Sequence, residues 1–168
     1  MTTSHINTSP MSVSHNERER AENMLRKAQV RVTDARMSVL TTLLTSQRAL
    51  SHLEVQDALK ELDRVTLYRA LDCLTDAGLA HKITGDDRVF RYSTGSEKLA
   101  SDMESGIQHQ HAHFKCTRCG KLFCLDDEQQ DTSLKEQLNL TLQTIMRRGF
   151  QNHDIELTIK GWCINCSI

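Results

Sequence analysis

The chain has 168 residues, a net charge of −1 and 38% hydrophobic residues, which suits one large domain or two small ones. The near-neutral charge excludes a uniformly basic surface, so any contact with nucleic acid must rest on a local patch. Residues 1–16 lack the basic and apolar segments of a signal peptide, and we expect them to form a disordered tail. No apolar run approaches the length of a membrane helix, which is about 18 residues. We therefore expect a cytoplasmic protein with no membrane partner.

Four amphipathic helices are predicted after this tail, because apolar residues recur there at intervals of three and four. The first ends near Gln29, and Thr33 or the residue after it caps the second. Ser51 opens the third with capping-box spacing to a glutamate. The fourth runs from Asp63, its cap, to Gly78.

A β-hairpin is predicted next. Residues 79–83 and 89–92 have strand character, and Gly85 with its neighbouring aspartates supplies the turn. Helices followed by a hairpin predict a winged helix-turn-helix domain over residues 17–92. The Ser-, Gly- and acid-rich residues 93–108 are then expected to link it to a second domain.

Residues 109–168 are predicted to form a small α/β dimerisation domain, which makes the fold class α+β. Strands are expected at 113–116 and 121–125, followed by a helix from about 131 to 148. A last strand at 155–160 alternates apolar with polar residues. A strand with one apolar face can pair with its twin, so we expect a homodimer.

Two Cys-x-x-Cys pairs mark this second domain. Paired thiolates at this spacing favour a structural zinc ion, whose apparent binding free energy is on the order of 10–16 kcal/mol in small domains. Disulfides or redox-active dithiols are the alternatives, and the absence of a secretory segment disfavours the disulfides. The predicted zinc ligands are Cys116, Cys119, Cys163 and Cys166.

Several segments occur together in one order: Arg-Val-Thr-Asp-Ala-Arg at 31–36, Thr-Leu-Tyr-Arg at 66–69, His-Ala-His-Phe-Lys-Cys at 111–116, and the two cysteine pairs. Over residues 26–166 the chain therefore resembles the ferric uptake regulator family of bacterial metal-dependent repressors, most like its zinc uptake regulator branch. The resemblance implies a winged helix that binds operator DNA, a C-terminal domain that dimerises, and a metal at the hinge that controls their orientation.

Residues on the fourth helix and on the predicted hairpin, which is the wing of the winged helix, are the candidates for DNA contact. Tyr68 and Arg69 project from the helix that a winged helix lays in the major groove, where Arg69 can bind a base or phosphate in bidentate fashion. The resemblance implies a minor-groove contact by Arg31. Simple solvation of the wing cations is the alternative to phosphate contact. The predicted DNA-binding residues are Arg31, Thr66, Tyr68, Arg69, Lys82 and Arg88.

A second, regulatory metal site is implied by the resemblance. His111 and His113 match the family's His-x-His positions, and His81 matches a wing histidine of zinc-sensing members. Cys124 stands where many members have a glutamate ligand, and on a strand it shares a face with Leu122. The predicted regulatory ligands are His81, His111, His113 and Cys124, and His109 is the alternative ligand.

Three departures from the family pattern disfavour iron or peroxide sensing. Arg91 replaces a glutamate ligand of iron sensors, Ala112 interrupts the His-Asp-His run, and Ala49 lies near the expected interdomain histidine. Three nitrogens and one sulfur suit zinc better than ferrous iron or manganese. We therefore expect one structural and one regulatory zinc ion per protomer.

These features predict a zinc-responsive repressor of metal uptake genes that binds double-stranded operator DNA and no small-molecule substrate. An iron-, manganese- or peroxide-responsive repressor is the alternative within the family, and a redox-switched zinc protein is the alternative from another class. An enzyme is not expected, because a four-cysteine site is closed to substrate and no nucleophile–base pair is evident.

Overall fold

The computed structural model describes residues 15–85, 87–94, 112–125, 138–151 and 157–167. The first part of the chain is mainly helical with a small sheet, and the second part carries another sheet. In chain order the elements are α1 (His15–Lys27), α2 (Asp34–Thr45), β1 (Leu50–Ser51), α3 (His52–Ala58), α4 (Arg64–Asp76), β2 (His81–Thr84), β3 (Phe90–Ser93), β4 (Ala112–Cys116), β5 (Leu122–Leu125), α5 (Asn139–Arg147), β6 (Leu157–Gly161) and a 3-10 turn (Ile164–Cys166).

Side-chain caps begin three of the helices where the sequence predicts. The Thr33 side chain accepts a hydrogen bond from a first-turn backbone N–H of α2, and Asp63 does the same for α4. Ser51 and Glu54 form a reciprocal capping box at α3. Gly78 follows α4 with a φ of 69°, a left-handed conformation that glycine adopts without strain and that ends the helix.

The helices pack around a leucine core. Their inward faces are buried at the helical spacing expected from the sequence, so α1, α2 and α4 form one cluster with the small sheet. The fully buried leucines of this core are Leu25, Leu40, Leu67, Leu71 and Leu74. This core buries one face of α4 and leaves the opposite face exposed.

The small sheet has three strands in the order β1-β3-β2, all antiparallel. The sequence predicted the β2–β3 hairpin but missed β1, which has two residues and is too short for an alternating pattern. Leu50 of β1 pairs with Tyr92 of β3. Strand β3 also includes Ser93, one residue beyond the predicted end of the winged helix.

The second sheet has the order β5-β4-β6, with β4 antiparallel to β5 and parallel to β6. Helix α5 covers the described part of the predicted helix, whose residues 131–137 lie outside the described residues. None of the described residues of α5 is buried, and Leu140 is 80% exposed. Among the described residues, no helix combines the length and apolar character needed to cross a membrane.

A short contact joins the two sheets. The Ala49 backbone N–H donates a 2.8 Å hydrogen bond to the Leu122 carbonyl oxygen, forming an isolated antiparallel bridge. Both residues pack with Ile83 in a small buried cluster, and Cys124 lies against it. The wing strand β2 and strand β5 therefore meet at this cluster, through Ile83 and Leu122.

Candidate metal centres and DNA-contacting surface

Four cysteine sulfurs meet where β4 and β6 end. Parallel pairing places Cys116 beside Gly161, so the turn after each strand brings its own pair of cysteines to the same place. The ligand atoms of Cys116, Cys119, Cys163 and Cys166 lie within 4.8 Å of one another. The sequence-predicted cluster is thus assembled across the sheet.

The geometry of this cluster fits zinc. Two sulfurs on one tetrahedral zinc ion lie about 3.8 Å apart, and Cys119 Sγ lies 3.8 Å from Cys163 Sγ. Backbone N–H groups of Cys119 and Cys163 lower the pKa of the Cys116 thiol. A hydrogen bond with the Cys163 thiol, together with burial, raises the pKa of Cys166. Four thiolates this close need a cation, and a divalent zinc ion supplies one.

A second cluster lies between the wing and the second sheet. His113 of β4 faces Cys124 of β5 in the strand register, and His81 of β2 reaches both from the other sheet. His81 Nε2 lies 3.3 Å from Cys124 Sγ, and the two imidazole rings are 5.8 Å apart. The ligand atoms of all three residues lie within 4.8 Å of one another.

The donor set of this second cluster also suits zinc. An imidazole nitrogen and a thiolate sulfur on one tetrahedral zinc ion are about 3.6 Å apart, close to the observed His81–Cys124 distance. His113 is buried, with 7% of its surface exposed, so a metal here would be shielded from solvent. The other predicted ligands, His109 and His111, lie outside the described residues.

Arg91, at a position where the family pattern has a ligand, is engaged elsewhere. Its guanidinium forms a bidentate ion pair with Asp87 in the wing turn, and the shorter contact, from Nη2 to Oδ2, is 2.6 Å. Hydrogen bonds from Arg91 hold the pKa of the Asp87 carboxyl well below its usual range. The wing turn is therefore braced by an internal ion pair.

The exposed face of α4 carries the predicted DNA-contacting residues. Arg69 is exposed, while Thr66 and Tyr68 are half-buried. The Tyr68 ring packs 5.2 Å from the ring of His52 at the start of α3. This contact was not predictable from the sequence, because a single histidine at the start of a helix follows no periodic pattern that identifies its neighbour.

The remaining predicted DNA contacts lie on loops and the wing. Arg31 is exposed before α2, and its carbonyl oxygen accepts a 2.8 Å hydrogen bond from Arg36. Lys82 Nζ sits 3.7 Å from the centroid of the Phe90 ring, which holds it along the wing. Arg88 is exposed at the wing turn with a φ of 58°. These cations face outward at the edge of the winged helix.

Comparison with known proteins gives a consistent result. The sequence model of the Ferric uptake regulator family matches residues 27–160. The chain is 31% identical over 147 residues to the transcriptional regulator FurA of Mycobacterium tuberculosis, covering 86% of this chain and 88% of that protein. It is 27% identical over 161 residues to the ferric uptake regulation protein of Bacillus subtilis, covering 90% and 95% respectively.

Solved structures agree at the level of the fold. A zinc uptake regulator complexed with zinc and DNA superposes with a TM-score of 0.63 at 21% identity, covering 94% of this chain and 96% of that chain. This likeness establishes the α+β architecture with its winged helix.

Proposed function

The chain belongs to the ferric uptake regulator family, and from that premise we propose that it is a zinc-responsive repressor of metal uptake genes. Members of the family are metal-responsive, DNA-binding transcriptional regulators and not enzymes. The finer assignment, to zinc, rests on the chemistry of the clusters in this chain.

The observation that carries the proposal is the meeting of His81, His113 and Cys124 at the junction of the two sheets. His81 belongs to the wing, and the other two belong to the second sheet. A metal ion bound by all three would fix the wing relative to the second sheet. Ligands from two parts of one chain can thereby couple metal concentration to the placement of a DNA-binding element.

Zinc is favoured over iron and manganese by the ligand types. Two imidazoles and a thiolate match zinc's preference for nitrogen and sulfur, whereas ferrous iron and manganese sites usually include carboxylates. Among the described residues, no Asp or Glu belongs to the His81 cluster. His111 or His109, outside the described residues, is proposed as the fourth ligand.

The four-cysteine cluster is proposed to hold a separate, structural zinc ion. It joins the ends of β4 and β6, and a closed four-thiolate site stabilises a fold without offering a position to substrate. The exposed apolar residues Leu140, Met146 and Phe150 on or beside α5 support the proposed homodimer, because a partner subunit would remove them from water.

Operator DNA is proposed to bind along α4 and the wing. Arg69 and Tyr68 would enter the major groove, while Lys82 and Arg88 would contact phosphates from the hairpin. Arg31 and Thr66 complete the proposed contact surface, Arg31 from the loop before α2 and Thr66 from the first turn of α4. Because the chain as a whole is near-neutral, this local set of cations is what would attract the phosphate backbone.

One experiment distinguishes the zinc-responsive repressor from an iron- or manganese-responsive repressor and from a redox-switched zinc protein. Purified protein, stripped of weakly held metal, is titrated with Zn²⁺, Fe²⁺ or Mn²⁺ in the presence of labelled DNA from upstream of its own gene. Zinc-dependent binding at the lowest free-metal concentration supports the proposal. Preferential activation by Fe²⁺ or Mn²⁺ would support the family alternative, and metal-independent binding that is lost on thiol oxidation would support the redox-switched zinc protein.

A further inference from the structure

One arginine spans both cysteine turns. Arg118 lies between Cys116 and Cys119, and its side chain crosses to the second turn. Its Cζ atom lies 3.7 Å from the centroid of the Trp162 ring. Its Nη1 atom donates a 2.5 Å hydrogen bond to the Cys166 carbonyl oxygen, across 48 positions of sequence. The guanidinium therefore contacts residues on both sides of Cys163.

We propose that Arg118 is a positioning residue that clamps the second cysteine turn onto the first and slows the release of the structural metal. This inference rests on the proposed zinc occupancy of the four-cysteine cluster. Trp162 is its partner in the clamp, because the ring gives the guanidinium a flat surface on which to stack.

Other hydrogen bonds between the two turns reach the second turn near its start, at Gly161 and Cys163. The Thr117 N–H donates a 2.8 Å hydrogen bond to the Gly161 carbonyl oxygen, and the Thr117 hydroxyl reaches the same oxygen at 3.2 Å. These bonds lie where the turn leaves β6. Cys166 lies at the far end, in the 3-10 turn, and the Arg118 guanidinium ties that end back to the first turn.

The charge of the guanidinium favours the same arrangement. Four thiolates carry more negative charge than one Zn²⁺ ion neutralises, so a cation held beside them stabilises the loaded site. Stabilisation by this cation matters because the edge of the cluster is open to solvent: Cys119 is exposed and Trp162 is 55% exposed. Water and chelators can therefore reach the edge of the cluster, and opening of the second turn is the route by which zinc would leave.

The test is the rate of zinc transfer from the full-length protein to a coloured chelator in excess. Arg118→Ala should release the structural zinc about tenfold faster than wild type, at the low end of the effect of outer-sphere substitutions. Trp162→Leu should give a similar acceleration, and the double variant should be no faster than the faster single variant, because both remove the same stack. Arg118→Lys should restore only the part of the effect that comes from charge, since an ammonium lacks the planar fork that stacks on Trp162.

Arg147→Ala, which removes the same charge from the last turn of α5, is the matched control and should release zinc at the wild-type rate. A wild-type rate in Arg118→Ala would overturn the clamp alone, and so would full rescue by lysine, since charge and not stacking would then be the cause. A wild-type protein that holds no zinc on its four cysteines would overturn the proposed structural site and the clamp with it.

Discussion

His81 Nε2 and Cys124 Sγ lie 3.3 Å apart although 43 positions of sequence separate the two residues. One belongs to the wing hairpin and the other to the second sheet. Their contact is thus the point at which a bound metal would act on both parts of the chain at once. The bridge between Ala49 and Leu122 lies beside it, because Leu122 and Cys124 share one face of β5.

Arg69→Ala should weaken operator binding by about 1–3 kcal/mol, because it removes an exposed cation from the face of α4 that would enter the major groove. Fluorescence anisotropy with labelled DNA at fixed salt and saturating zinc measures the change. Lys27→Ala, at the end of α1, is a control that should bind as wild type does. Equal affinity of Arg69→Ala and wild type would show that α4 is not the recognition helix.

Cys119→Ser should lose the proposed structural zinc and the proposed dimer together, because the part of the chain that carries the cluster is small and a metal supplies much of the stability of such small units. Zinc content per protomer and sedimentation equilibrium measure both effects. Cys73→Ser is the matched control, since Cys73 lies on α4 away from the cluster. A Cys119→Ser protein that is dimeric, folded and free of zinc would contradict the structural role.

Leu122→Ala should raise the zinc concentration needed for half-maximal DNA binding by about tenfold, at the low end of the range for second-sphere changes at metal sites. Leu122 is 1% exposed and packs with Ala49 and Ile83, so its loss leaves a cavity beside Cys124 and loosens the spacing of the ligands. Leu53→Ala, at a 54% exposed position, is the control. An unchanged zinc dependence would show that this buried cluster does not support the proposed regulatory metal site.

Asp87→Asn should destabilise the protein more at pH 7 than at pH 3. The ion pair with Arg91 lowers the pKa of Asp87 in the folded state, so its contribution is complete above the unfolded pKa of about 3.9 and is lost as the pH falls from there through the lower folded pKa. The Asp87 side chain is 42% exposed, which limits the contribution to about 1 kcal/mol or less.

Urea unfolding of wild type and Asp87→Asn at both pH values measures this difference. Loss of zinc at low pH affects both proteins, so the comparison isolates the ion pair. A stability difference that stays the same at pH 7 and pH 3 would mean that the Asp87–Arg91 pair contributes nothing through its charge.

The sequence predicted those parts of the fold that local chemistry determines. Capping residues such as Asp63 and Ser51 marked helix starts, and the spacing of the cysteines indicated their cluster. The Ala49–Leu122 bridge and the Arg118–Trp162 stack were not predictable in this way, because they join residues far apart in sequence and follow no periodic pattern. The spacing of the apolar residues of α5 predicted a buried face, but none of them is buried among the described residues.

Zinc-titrated operator binding by Cys124→Ala tests the central claim most directly. Alanine removes one ligand of the proposed regulatory site but leaves the four-cysteine cluster untouched. The account predicts a dimer that keeps its structural zinc, binds one zinc ion fewer per protomer than wild type, and no longer gains DNA affinity when zinc is added. A wild-type titration curve with the full zinc complement would contradict it and remove Cys124 from the sensor.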